Sequence, residues 1–364
     1  MCRPYDHYST MEQQNEKIIL SIDTSCDETS VAVVSGKRVL SHVEYSQILM
    51  HEKWGGVVPS IAKRAHEERI DFVVDKAVKN SKSKIQNIDA FAVTYGPGLA
   101  IALEVGIRKA KELSKTYNKP IVAVNHMEGH LYSPFVQNSK GNPKRKLIFP
   151  YIGLLVSGGH TELIVFKDDL SYEILGETRD DAAGEALDKA ARILGFGYPG
   201  GPILEHLAKE VGNTDTYHFP KPMLRSGNFE FSFSGLKTSF LYKVRAMSEN
   251  EKNNNLGHLA SSFQEAVFQT LIKKTMKAMK QTGIKHILVG GGVAVNNRLR
   301  YLMRKTVRET SGFVLFPSYK YLNFDNAAMI GFVGAIRAER NLFVENLEEL
   351  DRKPRVSLLQ STIK

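Results

Sequence analysis

The sequence predicts an α/β protein in which one fold is used twice, as two lobes around a cleft, and three observations carry that expectation. The chain has 364 residues, beyond the roughly 250–300 at which a single core stops growing. A strand, turn, strand, turn, strand pattern that begins at Lys17 returns near Tyr151. Later apolar strands in both halves run into glycine, at Gly96-Pro97-Gly98 and at Gly290-Gly291-Gly292. Chance rarely aligns strand number, order and glycine placement, so the halves read as a duplication.

In the first half, Ile18 to Asp23, Thr29 to Val34 and Val39 to Tyr45 have the β-branched, apolar runs of strands, separated by Thr24-Ser25-Cys26-Asp27-Glu28 and a turn at Gly36. Strands Ala90 to Tyr95 and Ile121 to Val124 follow after helical stretches. The second half repeats the series with Tyr151 to Val156, Thr161 to Phe166, Tyr172 to Leu175, His286 to Val289 and Phe313 to Phe316. A polar, helix-forming insertion spans about 180–255. Its Phe229, Phe231 and Phe233, at strand spacing, read as a buried sheet face in preference to a base-stacking platform. The expected lobes are 17–147, completed by a helix near 325–341, and 148–324. A flexible extension at 1–16, with Met11 as an alternative start, and a tail at 342–364 complete the chain.

Hydrophobic residues make up 42% and charged residues 24%, which excludes a fibrous or largely disordered chain. A net charge of +10 favours an anionic partner such as RNA, although no dense basic block accompanies it; the best local cluster is Lys140, Lys144, Arg145 and Lys146. Only Cys2 and Cys26 are present, too few for a disulfide framework or a cysteine-ligated zinc, so a reducing compartment is expected. No run is apolar enough for a membrane span, and the N-terminus lacks the apolar stretch of a secretory signal.

A loop between a strand and a helix can point backbone N–H groups at phosphate. Four candidates are expected to face one cleft: Asp27-Glu28, Gly96-Pro97-Gly98, Ser157-Gly158-Gly159 and Gly290-Gly291-Gly292. Each alone is an ordinary turn; in duplicated positions they favour a nucleotide. Neither G-x-x-x-x-G-K-[ST] nor a G-x-G-x-x-G after the first strand occurs, so the pattern resembles the actin-like, hexokinase-like (ribonuclease H-like) nucleotide cleft instead.

His126-Met127-Glu128-Gly129-His130 follows a buried strand. On a helix its two imidazoles share one face and can grip one ion. Asp325, at the start of an apolar helix, is the expected third ligand, although an aspartate there also suits an N-cap. A metalloprotease places its glutamate beside the first histidine; Glu128 sits about 200° around the helix from His126 and would face away.

Taken with Ser25-Cys26-Asp27-Glu28-Thr29, Leu155-Val156-Ser157-Gly158-Gly159-His160-Thr161, Asp181-Ala182-Ala183-Gly184-Glu185-Ala186-Leu187-Asp188-Lys189, Tyr198-Pro199-Gly200-Gly201-Pro202, Phe233-Ser234-Gly235-Leu236-Lys237-Thr238 and Asp325-Asn326-Ala327-Ala328-Met329, the chain closely resembles the tRNA N6-adenosine threonylcarbamoyltransferase family. The likeness runs from Lys17 to about Arg340, and Tyr198-Pro199-Gly200-Gly201-Pro202 resembles the bacterial and organellar branch.

The resemblance implies transfer of threonylcarbamoyl from threonylcarbamoyl-AMP to N6 of adenosine 37 in tRNAs reading codons that begin with A. It implies a divalent metal, iron(II) before zinc, on His126, His130 and Asp325, and donor binding by Leu155, Val156, Ser157, Gly158, Gly159, Asp188, Gly201 and Asn296. Asp27 is the candidate for orienting or deprotonating the amine. Implied partners are tRNA, a related noncatalytic subunit and a small ATPase, or a second copy of the chain; the implied compartment is the cytoplasm, or the mitochondrial matrix if organellar. An ATP-dependent phosphotransferase and a nucleotide-sensing scaffold are the alternatives on the same fold, and neither needs both histidines. The sequence departs from the family at Asp23, where glutamate is common, at Phe324, where threonine is usual, and at Ile101-Ala102 in place of Gly-Ser.

Overall fold

The computed structural model describes residues 16–360. Residues 1–15 of the expected extension, with Cys2 and Met11, and residues 361–364 of the tail lie outside the described residues.

Two five-stranded sheets organise the molecule. The first holds β1 (Ile18–Asp23), β2 (Glu28–Ser35), β3 (Arg38–Ser46), β4 (Ala90–Gly96) and β5 (Ile121–Asn125), in spatial order β3-β2-β1-β4-β5. The second holds β6 (Tyr151–Val156), β7 (Thr161–Asp168), β8 (Ser171–Glu177), β9 (His286–Gly290) and β10 (Phe313–Leu315), in order β10-β9-β6-β7-β8. Read from its other edge, the second order is the first. The senses match too: β1/β2 and β2/β3 are antiparallel like β6/β7 and β7/β8, while β1/β4 and β4/β5 are parallel like β6/β9 and β9/β10.

Sequence explains which strands sit centrally. All seven residues of β4 are buried, as expected of a parallel strand covered on both faces, whereas in β3, at the sheet edge, buried Val39 and Ser41 alternate with exposed Arg38 and half-buried Leu40 and His42. Helices Pro59–Ser81 and Ala100–Tyr117 cover the outer face of the first sheet. Helices Ala183–Ile193, Gly200–Glu210, Ser234–Arg245 and Leu256–Thr282 cover the outer face of the second. Between the sheets lie helices His126–Tyr132 and Ala327–Glu339, whose Met127, Leu131 and Met329 share one core with Ile19 and Ala92 of the first sheet and Leu155 and Ile164 of the second. That central layer also buries an ion pair. Glu128 accepts from the Arg337 guanidinium at 2.9–3.2 Å and from the Tyr172 hydroxyl at 2.8 Å.

Two local readings are corrected. The Phe229–Phe233 segment forms a single bridge, Thr178 to Phe231, and no strand, although Phe231 and Phe233 are fully buried. The tail packs on the first lobe: Leu350, Val356 and Leu358 are buried, Lys353 N–H donates to the Tyr95 carbonyl, and Gly98 N–H donates to the Pro354 carbonyl. The Gly96-Pro97-Gly98 loop is therefore covered by the chain's own backbone. It is not open to a nucleotide in the way its duplicated position suggested.

Candidate metal centre and ligand cleft

β5 ends at Asn125, whose side chain accepts from Met127 N–H at 2.9 Å and starts the helix that carries both histidines. Their spacing turns both rings to one side, with centroids 4.7 Å apart. Asp325 arrives from the other end of the sequence. His126 Nε2 lies 3.1 Å from Asp325 Oδ1 and His130 Nε2 lies 3.4 Å from the same oxygen. Ligand atoms of the three residues all fall within 4.8 Å of one another. The N-cap of helix Ala327–Glu339 is Asn326, which accepts from Met329 N–H at 3.0 Å. Asp325, expected as a cap as well as a ligand, is thereby left to the histidines.

The surroundings suit a cation. His130 is fully buried and neither ring nitrogen has a hydrogen bond; burial holds its pKa below the usual value and keeps a lone pair available. Two such orphaned atoms would be costly in an ordinary core. Burial alone would lower the His126 pKa, but the carboxylates of Asp325 and Asp23 outweigh it and carry it to about 10. Burial likewise raises Asp325, and His126 then pulls it far below the usual carboxylate range. Nearby acids crowd one another: Glu44 is pushed to about 7 by burial and then by Asp325, Asp23 and Asp27. An ion of positive charge relieves that repulsion, so the residues present fit a divalent metal.

Asp23 is the residue that the sequence reading missed. Its Oδ2 lies 3.4 Å from His126 Nδ1, with Ser25 Oγ at 3.2 Å from the same nitrogen. A carboxylate behind a histidine fixes the tautomer and strengthens the other nitrogen as a ligand. Its place at the end of β1 was the available signal. Asp27 is buried with an unpartnered Oδ2 and does not join the three-residue cluster. His160 was also passed over; burial, then His126 and His130, depress its pKa to about 4.

The remaining candidates divide by chemistry. Gly158 and Gly159 are exposed, and a Cβ on either would meet nothing within 4 Å, so this loop tip is open. Leu155 and Val156 have fully buried side chains and offer only backbone. Asp188 Oδ1 accepts from Gly200 N–H at 2.7 Å and Gly201 N–H at 3.1 Å, tying down the start of helix Gly200–Glu210. Asn296 acts as an N-cap, accepting from Arg298 and Leu299 and donating to Gln264 Oε1 at 2.9 Å.

Fold and site together define a two-lobed α/β protein of the duplicated nucleotide-binding type with a His-His-Asp centre of metal-binding geometry. Solved structures share the architecture: the HypF protein of T. kodakarensis matches 90% of this chain with a TM-score of 0.61 at 15% identity. A full-length HypF in phosphate- and nucleotide-bound form matches with 0.58 at 14%. This chain spans only 48% and 56% of those two proteins, and the likeness speaks to fold alone. The family model described as tRNA N6-adenosine threonylcarbamoyltransferase matches residues 38–332. Proteins of that name from Kosmotoga olearia and Enterococcus faecalis are 47% identical over 325 residues and 43% identical over 354 residues. These alignments take in 89% and 96% of this chain and 94% and 98% of the relatives. The chain belongs to the tRNA N6-adenosine threonylcarbamoyltransferase family.

Proposed function

We propose that the chain transfers the threonylcarbamoyl group of threonylcarbamoyl-AMP to N6 of adenosine 37 in tRNAs reading codons that begin with A. The observation that carries this reading is the convergence of His126, His130 and Asp325 within 4.8 Å in a chain of that family. These three residues would hold one divalent ion, iron(II) before zinc, which when bound supplies Lewis acidity to the donor carbonyl and offsets charge as AMP leaves.

The chain's own groups do the rest. Backbone from Leu155 through Gly159 lines the donor's path, Asp188 keeps its second oxygen for a hydroxyl, Gly201 leaves room for close approach, and Asn296 retains one amide hydrogen beside the glycine loop. Asp27 orients the N6 amine and takes its proton as the new C–N bond forms and the bond to the phosphate oxygen breaks.

Support for an RNA substrate comes from the charge of +10 and from a cavity of about 650 Å³ lined by Lys221, Arg225, Lys273, Lys274 and Lys277. A related noncatalytic subunit and a small ATPase, or a second copy of the chain, complete the system in the cytoplasm or the mitochondrial matrix. No helix among the described residues is long and apolar enough to cross a membrane.

The test is His126→Ala with His130→Ala, read as modified adenosine in tRNA by nucleoside mass spectrometry and as metal content by elemental analysis. Both readouts fall to background on this reading. A phosphotransferase or a nucleotide-sensing scaffold on the same fold has no use for the two imidazoles and would keep its nucleotide chemistry or binding.

A further inference from the structure

Two fully buried histidines, His51 and His66, take no part in the chemistry set out above. His51 ends the short helix Ile48–His51, and His66 lies in helix Pro59–Ser81. Between them stands Gln47, also fully buried. The Val58 backbone nitrogen lies 3.3 Å from His51 Nδ1, and His51 Nε2 lies 3.2 Å from Gln47 Oε1. Gln47 Nε2 lies 3.3 Å from His66 Nδ1, and His66 Nε2 lies 3.0 Å from the Cys26 carbonyl oxygen. The Thr29 hydroxyl is a second neighbour of His66 Nδ1, at 2.7 Å.

The two ends of this chain of groups force the proton positions along it. A backbone N–H can only donate, so His51 Nδ1 accepts from Val58 and the ring carries its proton on Nε2, which donates to the Gln47 oxygen. The Gln47 amide and the Thr29 hydroxyl then donate to His66 Nδ1. His66 Nε2–H donates to the Cys26 carbonyl, which can only accept. Each ring nitrogen thus has one role and both rings are neutral; burial, which holds the His66 pKa below its usual value, agrees. A buried polar network costs desolvation, and when every member is satisfied it fixes one geometry.

What it fixes is the loop that carries Asp27. Three successive carbonyls of that loop are tied down: Ser25 accepts from Leu99 N–H at 2.8 Å, Cys26 from His66, and Asp27 from Gln47 N–H at 3.0 Å. The Asp27 carboxylate is buried and its Oδ2 has no hydrogen-bond partner among the described residues, so its aim depends on how the main chain beneath it is held. Of the three anchors, His66 alone acts through its side chain.

We propose that His66, itself oriented by Gln47 and Thr29, is a positioning residue for Asp27: it holds the Cys26 carbonyl and thereby points the Asp27 carboxylate at the acceptor amine. The inference rests on the role given to Asp27 above and adds the group that sets its direction.

The test compares His66→Leu, which keeps bulk and removes the donor, with His66→Gln, which can return an amide N–H to the Cys26 carbonyl. A misplacement of about 1 Å costs on the order of 100-fold in rate, so His66→Leu lowers kcat for modified adenosine by about that factor. KM for tRNA and for the donor stay within about twofold, elemental analysis finds the metal content of wild type, and His66→Gln recovers about tenfold in kcat. In an Asp27→Asn background His66→Leu makes no further difference, because it acts through Asp27, whereas a purely structural role would lower the rate again. Thr29→Val removes one hydroxyl from the same ring and lowers kcat about fivefold, which covers a His66→Leu protein that fails to fold. Wild-type kcat in both His66→Leu and Thr29→Val, or a further loss in the Asp27→Asn background, overturns the inference and leaves the proposed transfer standing. Asp27→Asn with wild-type kcat removes the base itself, and His66 then has nothing to position. Hydrogen exchange read by mass spectrometry needs no activity: the peptide spanning 24–28 should exchange about tenfold faster in His66→Leu while β4 keeps its protection. Equal exchange in the two proteins overturns the inference even if wild type forms no modified adenosine, a result that would refute the proposed function separately.

Discussion

Removing the Glu128 carboxylate should destabilise the protein without touching its chemistry. Glu128 is fully buried and the Arg337 side chain is 5% exposed. Glu128→Ala removes the buried carboxylate to which the Arg337 guanidinium and the Tyr172 hydroxyl donate. Breaking a buried pair by deleting one partner costs about 3–5 kcal/mol. At about 1.3 °C per kcal/mol for a chain of 364 residues, the melting temperature should fall by about 4–7 °C. Glu128→Gln retains an acceptor oxygen and should lose less, and Glu128→Leu combined with Arg337→Met should recover much of the deficit, since an apolar pair avoids the desolvation penalty. Thermal unfolding followed by circular dichroism measures the stability, and modified adenosine formed well below the melting transition measures the chemistry. If Glu128→Gln abolished activity while melting like wild type, Glu128 would be a reacting group and the geometry that turns it from the histidines would be wrong.

Three further outcomes follow from the same structure. In metal-stripped protein, His126 has its pKa raised from 6.5 to about 10, so the stability it contributes is fully present below pH 6.5 and is lost as pH rises through about 10; urea unfolding at a series of pH values should show that decline, and a flat profile would mean that Asp325 and Asp23 do not hold His126 charged. Gly290→Ala would place a Cβ 2.4 Å from the His130 carbonyl oxygen, so the helix carrying both histidines must shift; metal content should drop while the far-ultraviolet spectrum stays the same. Arg225→Glu with Lys273→Glu, at the cation-lined cavity, should raise KM for tRNA about tenfold and flatten its dependence on salt by about one to two units of log–log slope, with KM for the donor unchanged.

Much of this architecture is visible in the linear order of residues. The ten strands stand out because strand periodicity, β-branched content and glycine punctuation are local properties, and the repeat of the series discloses the duplication before any coordinate is consulted. The pair His126 and His130 is legible for the same reason: a spacing of four fixes two side chains on one helical face. Burial of Phe231 and Phe233 is likewise written in their alternation, though their backbone settles into a single bridge.

What the linear order left open were choices between neighbours and meetings across the lobes. Asp23 and Asp27 flank the same loop, and only the path of that loop turns Asp23 toward His126. Asp325 and Asn326 could each cap the helix, and the cap falls to Asn326 once the histidines engage Asp325. The chain end covers the Gly96 loop, and the Gly55 carbonyl meets the Arg192 guanidinium, through packing between segments far apart in sequence. Periodicity specifies which way a side chain points from its own strand or helix. Which distant group it then meets is decided by the summed contacts of two sheets and the helices between them, and no short stretch of residues carries that sum.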